Sequence, residues 1–208
     1  MNKKVKDKLT IALCTPSFFP NLGGSEVTAH NLVLHLIGRG HKVVVIVSFQ
    51  YWIKAVRSGN VFGYRIIPLL PGHWRFSKRC PVWYRALEFL YYLMLQSIFR
   101  FNVWQSFGVF PTGVSIARFV SRFGISHVSR SVGYDIQILP EIDYGLRLDP
   151  VVDCTINRWS PKITRVIALT QSVTKDCRSA GFSEDQITVI PCAVDKDRFN
   201  QAGLFPKN

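Results

Sequence analysis

The sequence predicts an α/β protein, a Rossmann-like doubly wound parallel sheet. The first observation is VVVIV at residues 43–47, a continuous β-branched run that is typical of parallel strands covered on both faces. The second is an apolar run at residues 9–15, followed by a helical spacing of apolar residues at Ala29, Leu32, Val33, Leu36 and Ile37. Strand, glycine turn, helix and strand together predict a right-handed βαβ unit.

The third observation is that the alternation continues along the chain, which favours helices on both faces of one sheet. Further strands are predicted at residues 64–70, 102–106, 126–131, 165–169 and 187–190. Further helices are predicted at residues 81–101, 113–123, 150–160 and 172–180.

Composition excludes several classes of protein. Of 208 residues, 48% are hydrophobic, which suits a sizeable core and excludes a disordered chain. The five cysteines are an odd number and widely spaced, which favours reduced thiols in a cytoplasmic protein over a disulfide framework or a zinc site. The histidines also lack a metal-ligand spacing, so we predict no metal site and no cofactor. The apolar start is too short for a signal peptide, and a first core strand is the better interpretation.

The net charge of +13 is unevenly distributed. Residues 1–130 hold 17 Lys and Arg against 3 Asp and Glu, whereas residues 131–208 hold 9 against 10. The electrostatic field of this positive charge excess suits an anionic partner, which could be a membrane surface, a nucleic acid or a phosphorylated ligand. A merely solubilising surface is the alternative, and charge alone does not decide between them.

The glycines Gly23 and Gly24 lie between the first strand and the first helix. In a doubly wound sheet, ligands bind at the carboxyl ends of the strands, where this turn is expected. Glycine allows close approach of the backbone and dihedral angles that other residues avoid. The N-terminus of the following helix favours an anion. The pair is therefore a candidate phosphate or sugar cradle, or else a turn that simply needs glycine.

Four segments resemble the N-terminal domain of glycosyltransferase family 4, the retaining enzymes of GT-B fold. The first reads F-x-P-N-x-G-G-x-E from Phe18 to Glu26 and continues as G-x-G-H-x-V-x-V from Gly38 to Val45. The others are SRSVGYDIQ at residues 129–137, TRVIALTQSVTKDCRSAGF at residues 164–182 and ITVIPCAVDKDRF at residues 187–199. They occur in the family's order and together cover nearly the whole chain.

The resemblance implies half of a two-domain enzyme that transfers a sugar from a nucleotide-sugar to a glycan or lipid-linked acceptor, as in polysaccharide biosynthesis. Residues 1–198 correspond to the acceptor-side domain, and residues 199–208 to the start of the interdomain linker. The donor domain of the family carries glutamates eight positions apart, and no two of this chain's four glutamates are so spaced. We therefore expect the donor domain to be absent and these residues alone to be inactive.

The resemblance also suggests the site residues. Gly23 and Gly24 inherit the role of approaching the donor phosphate or the acceptor, and Asn21 and Ser25 are placed to donate hydrogen bonds. Capping of the helix by Ser25 is the alternative.

A second group of candidates follows later strands. Asp135 is the candidate catalytic carboxylate, and Gly133 precedes it past a strand end. Many family members carry a basic residue immediately before that glycine, where this chain has Val132, so Arg130 is the candidate substitute for the charge. Thr170 follows a further strand and either contacts a ligand or caps the next helix.

Residues 82–101 are rich in apolar and aromatic side chains but too short and interrupted to span a bilayer. A buried helix and an interfacial membrane surface are both compatible with the pattern. The predicted location is cytoplasmic, with peripheral contact at the inner face of the membrane. Two other functions remain open: a non-catalytic glycan- or phosphate-binding module, and a nucleic-acid-binding protein. The second lacks any recognisable nucleic-acid motif, so we expect no nucleic-acid partner.

Overall fold

A computed structural model describes residues 8–19, 21, 23–57, 59, 62–73, 75–76 and 80–192. The predicted linker at residues 199–208 lies outside the described residues. In the described part, seven parallel strands form one sheet in the order β3-β2-β1-β4-β5-β6-β7. They are β1 (Thr10–Thr15), β2 (Lys42–Val47), β3 (Arg65–Pro68), β4 (Val103–Phe107), β5 (Ser126–Arg130), β6 (Arg165–Ala168) and β7 (Ile187–Val189).

Six α-helices of the described residues connect these strands. They are α1 (Gly24–Gly38), α2 (Phe49–Arg57), α3 (Val82–Phe99), α4 (Val114–Val120), α5 (Pro150–Trp159) and α6 (Val173–Ser179). The predicted Rossmann-like fold is confirmed, and every predicted strand and helix is present with bounds that differ by a few residues. Helix α2 was not predicted. No α-helix in the described part of the chain combines the length and the hydropathy that a membrane crossing requires.

The order of the strands places the helices in two layers. The chain runs from β1 to β3 towards one edge through α1 and α2, and from β3 to β7 towards the other edge through the remaining helices. Because parallel crossovers are right-handed, α1 and α2 lie on one face of the sheet and α3 to α6 on the other. The packing of the core is consistent with two layers. Leu13 packs with α1, whereas its neighbour Cys14 packs with α3 and α4.

A short chain of polar side chains crosses the core between β4 and β5. The Ser106 hydroxyl donates to the hydroxyl of Ser129 at 3.0 Å and lies 3.1 Å from Nε2 of His127. His127 is fully buried, and its Nδ1 has no hydrogen-bond partner among the described residues. Burial disfavours the charged imidazolium and lowers the pKa of His127 to about 3.

We expect His127 to make the protein acid-sensitive. In the unfolded chain the imidazole binds a proton near its ordinary pKa of 6.5, whereas the folded protein holds it neutral. This contribution to stability is therefore complete above pH 6.5 and is lost as the pH falls towards 3. At pH 5 the loss amounts to about 2 kcal/mol.

The measurement is the free energy of unfolding in urea for the wild type and for His127→Asn at pH 7 and pH 5. The variant cannot take up the proton, so its stability deficit should shrink by about 2 kcal/mol at the lower pH. A deficit that stays constant would show that His127 does not account for the acid sensitivity.

Candidate functional site

A narrow cleft of about 60 Å³ lies where β5 and β6 end, beside the beginning of α1. Its lining joins residues that are far apart in the sequence: Gly24, Ser25, Thr28, Phe107, Arg130, Ser131, Val132, Leu169 and Cys192. This is the carboxyl edge of a doubly wound sheet, the place where such folds bind ligands. The structure therefore brings three predicted residues together here, namely Gly24, Ser25 and Arg130.

The beginning of α1 is suited to an anion. Gly23 is the N-cap residue, so Ser25 lies inside the helix and the predicted alternative of a Ser25 cap is wrong. The N-cap supplies no side chain to the first N–H groups of the helix, and Gly24 and Ser25 are both exposed. Exposed N–H groups and the helix dipole together favour a negatively charged ligand at this point.

The two glycines serve different purposes. Neither has a positive φ, and Gly23 has φ −135° and ψ 170°, so the expected special dihedral angles are not the reason for glycine. A Cβ on Gly23 would lie 2.5 Å from Oε2 of Glu26, whereas a Cβ on Gly24 would meet nothing within 4 Å. Gly23 therefore leaves room for Glu26, and Gly24 leaves open space at the cleft.

Glu26 is a buried carboxylate next to the glycine turn, in the first turn of α1. It is 6% exposed, and its Oε1 accepts a hydrogen bond from the Ser17 hydroxyl at 2.5 Å. Ser17 belongs to the loop after β1, so this contact joins that loop to the first turn of α1. A carboxylate at this position also interacts favourably with the helix dipole. Glu26 thus fastens the glycine turn to the loop after β1.

Arg130 supplies the positive charge of the cleft. It ends β5, its guanidinium lies 5.6 Å from the centre of the Phe107 ring, and its Nη2 donates to Sγ of Cys192 at 3.2 Å. Arg130 and Val132 both line the cleft. Arg130 therefore supplies the positive charge to the cleft that the uncharged Val132 does not.

Asp135, the candidate catalytic carboxylate, is buried, unlike the exposed Gly24 and Ser25. It is 1% exposed, Oδ2 accepts from the backbone N–H of Val109 at 2.5 Å, and Oδ1 accepts from that of Val132 at 2.9 Å. Burial raises the pKa of this carboxyl, and the backbone donors oppose that rise. The carboxylate fastens the loop after β4 to the loop after β5. This geometry supports a role in positioning Val132 rather than direct contact with a substrate.

The remaining candidates do not line the cleft. Gly133 has φ +95°, a conformation that favours glycine, and it forms a turn by accepting from the N–H of Gln137 at 2.9 Å. Thr170 is exposed and shares a 2.7 Å hydrogen bond with Ser172. Asn21 is exposed, and its backbone N–H donates to the carbonyl of Phe18 at 3.2 Å. Direct ligand contact by these three residues stays a prediction.

A buried polar group between α3 and the segment after β4 was not predicted. Nδ1 of His73 lies 2.9 Å from Oε1 of Glu88, and its Nε2 lies 3.3 Å from the Thr112 hydroxyl. Glu88 lies on α3 and Thr112 follows β4, so only the folded chain brings them to His73. Among the described residues, no three His, Cys, Asp or Glu side chains are grouped to hold a metal ion.

The fold and the cleft define an α/β domain of the GT-B type, a parallel sheet with an anion-suited helix N-terminus at its carboxyl edge. The sequence matches Glycosyltransferase Family 4 over residues 22–198, and the chain belongs to this family. No curated protein matches the chain.

Several solved structures share the fold. A glycosyltransferase from Rickettsia africae is 16% identical with a TM-score of 0.67, and the match covers 96% of this chain and 47% of that one. HepE from Anabaena, in complex with UDP and glucose, is 16% identical with a TM-score of 0.58 and coverages of 91% and 46%. The UDP-GlcNAc 2-epimerase of Neisseria meningitidis, bound to UDP-GlcNAc, is 11% identical with a TM-score of 0.56 and coverages of 87% and 45%. The chain thus spans about half the length of these proteins.

Proposed function

We propose that this chain is the acceptor-side half of a retaining glycosyltransferase, which moves a sugar from a nucleotide-sugar to a glycan or lipid-linked acceptor. The observation that carries the proposal is the cleft at the carboxyl edge of the sheet. There the open backbone at Gly24, the first N–H groups of α1 and the guanidinium of Arg130 converge. These are the groups that bind a phosphate without a metal ion.

The donor is proposed to be a nucleoside-diphosphate sugar. Membership of glycosyltransferase family 4 supports sugar transfer in general, and HepE, which shares the fold, has been solved with UDP-glucose. In this chain, Gly24 and Arg130 would face the diphosphate from the acceptor side. Their electrostatic contribution grows in the transition state, because negative charge develops on the leaving phosphate.

Asp135 is proposed as a positioning residue. Its two backbone contacts hold Val109 and Val132 at a fixed separation, and Val132 lines the cleft. A site of this kind needs rigid support, since small displacements reduce catalysis strongly. The catalytic carboxylate assigned from the resemblance therefore acts on the cleft through the backbone.

A non-catalytic glycan- or phosphate-binding module is the second candidate. The four glutamates of the chain, at positions 26, 88, 141 and 184, include no pair eight apart. Without such a donor site, the cleft of this chain could bind a ligand and perform no transfer.

A transfer assay with radiolabelled nucleotide-sugars tests the proposal. The 208 residues alone should fold but give no measurable transfer, because half of the groups around the transition state are missing. Adding a donor domain that carries the paired glutamates should give transfer. Measurable turnover by the chain alone would place the donor site in this half. Tight binding on a glycan array, with no transfer in the combined sample, would favour the binding module.

A further inference from the structure

A second and larger cavity lies on the opposite face of the sheet, between α3, α4 and α5. Its volume is about 600 Å³, within the range of small-molecule binding sites. No residue of its lining also lines the cleft beside α1. Its walls combine four arginines with aromatic side chains: Arg85, Arg118, Arg122 and Arg158, together with Phe89, Tyr92, Phe119 and Trp159.

The four arginines have no carboxylate partner. Within the described part of the chain, none of them forms an ion pair, and the nearby Glu88 carboxylate is hydrogen-bonded to His73. Three of the four guanidinium groups, those of Arg118, Arg122 and Arg158, lie instead on aromatic rings. Arg122 is 5.0 Å from the centre of the Phe89 ring, and Arg118 is 5.6 Å from that of Trp159. The four arginines of the lining outnumber its one carboxylate, that of Glu88, and leave the cavity with an excess of positive charge.

The arginines also repel one another. Burial lowers the pKa of Arg118, and the charges of Arg85 and Arg158 lower it further, whereas Cys80 and Glu88 oppose this change. A bound anion would offset both effects, since it would add negative charge to that of Glu88. Guanidinium groups are well matched to phosphate oxygens, to which they donate two hydrogen bonds at once.

An exposed apolar surface borders the cavity. Along α3, large apolar side chains recur at the spacing of one helical face and are exposed to solvent: Trp83 58%, Leu87 50%, Leu90 60%, Met94 48% and Ile98 62%. We call these five residues the α3 stripe. Leu90 belongs both to the stripe and to the lining of the cavity, so the two surfaces are continuous. The stripe contains no charged side chain.

We propose that the cavity between α3, α4 and α5 binds the phosphate headgroup of an anionic membrane lipid while the α3 stripe enters the bilayer surface. The arginines supply the charge that a phosphodiester needs, and the stripe supplies apolar area for the acyl chains. A freely soluble phosphate would account for the arginines but would leave the adjoining stripe exposed to water. The lipid accounts for both features together.

Vesicle binding of the 208-residue chain tests the proposal. The partition coefficient would be measured by co-sedimentation with vesicles of phosphatidylcholine, with and without phosphatidylglycerol, at about 0.1 M salt. We expect binding that requires phosphatidylglycerol. Arg85→Gln with Arg158→Gln should weaken it about tenfold, and Leu90→Ser should weaken it by a similar factor. All three side chains are exposed, so thermal unfolding should be unchanged.

The matched control removes two exposed arginines from the other face of the sheet, by Arg39→Gln with Arg57→Gln. Its charge change is identical, but these residues face away from the proposed lipid surface, beyond effective electrostatic range. We expect less than about a threefold change in partition coefficient. An equal loss in both double variants would overturn the proposal in favour of diffuse electrostatic attraction, and so would absence of vesicle binding by the wild type.

A labelling experiment distinguishes the lipid from a soluble phosphate. Cys154 lines the cavity and is exposed, and Cys192 is the other exposed cysteine of the described residues. In a Cys192→Ser background, phosphatidylglycerol vesicles should slow maleimide labelling of Cys154 at least fivefold, and inorganic phosphate should have less than a twofold effect. Equal protection by inorganic phosphate would overturn the lipid assignment.

Discussion

Replacing Gly24 with valine should abolish most of the sugar transfer of an enzyme that carries this domain together with its donor domain. Gly24 lines the cleft, and a Cβ at this position meets no protein atom within 4 Å. The protein therefore tolerates the side chain, whereas a phosphate approaching the backbone does not. We expect kcat/KM to fall about 100-fold, with the melting temperature unchanged.

Gly38→Val is the matched control for this variant. Gly38 ends the same helix, has no positive φ and also has empty space around the position of a Cβ. It lies far from the cleft, so its replacement should leave kcat/KM unchanged. Gly23 is a poorer choice, because its side chain would meet the Glu26 carboxylate. Unchanged kinetics in a folded Gly24→Val enzyme would show that the glycine serves the turn alone.

Replacing Arg147 with methionine should cause the largest loss of stability. Arg147 is 5% exposed, and its Nε donates to Oδ1 of Asp153 at 2.6 Å. Its other nitrogens donate to the carbonyls of Ile136, Asp176 and Ser179 and to the Ser179 hydroxyl, at distances between 2.9 and 3.1 Å. Methionine fills similar space but leaves these acceptors unpaired. We expect the free energy of unfolding to fall by about 3–5 kcal/mol, measured by urea titration.

The exposed pair of Arg178 and Glu184 provides the control. The two side chains form an ion pair, and they are 44% and 70% exposed. Arg178→Met should leave the free energy of unfolding nearly unchanged, because solvent screens surface pairs. Arg147→Lys should still be strongly destabilised, since an ammonium group cannot reproduce the planar arrangement of donors. Similar losses for Arg147→Met and Arg178→Met would contradict the proposed role of the buried network.

The fold was predictable because its signals are local. The VVVIV run became β2, whose residues from Val43 onward are buried on both faces, and the helical spacing after Gly24 became α1. Helix α2 was not predicted because it is short and has Ala55 as its one buried residue. Its position depends on the packing of Tyr51 and Trp52 beside the first strands rather than on a long apolar period.

The site was predictable only in part, because its contacts are between distant segments. The motifs indicated Gly24, Ser25 and Arg130, and the structure places all three in one cleft. Asp135 was correctly located past β5, but its burial depends on Val109, which is 26 residues away along the chain. The Arg147 network and the cavity of arginines join separate helices, so the sequence showed only an excess of positive charge.

The central claim is that the cleft beside α1 holds the diphosphate of a nucleotide-sugar as half of a GT-B site. Calorimetric titration of UDP into the wild-type chain, Gly24→Val and Arg130→Gln tests it most directly. We predict a dissociation constant on the order of 1 mM for the wild type, because one helix end and one arginine supply few contacts. Both variants should show no measurable heat of binding. Micromolar affinity, or equal binding by all three proteins, would contradict this account of the cleft.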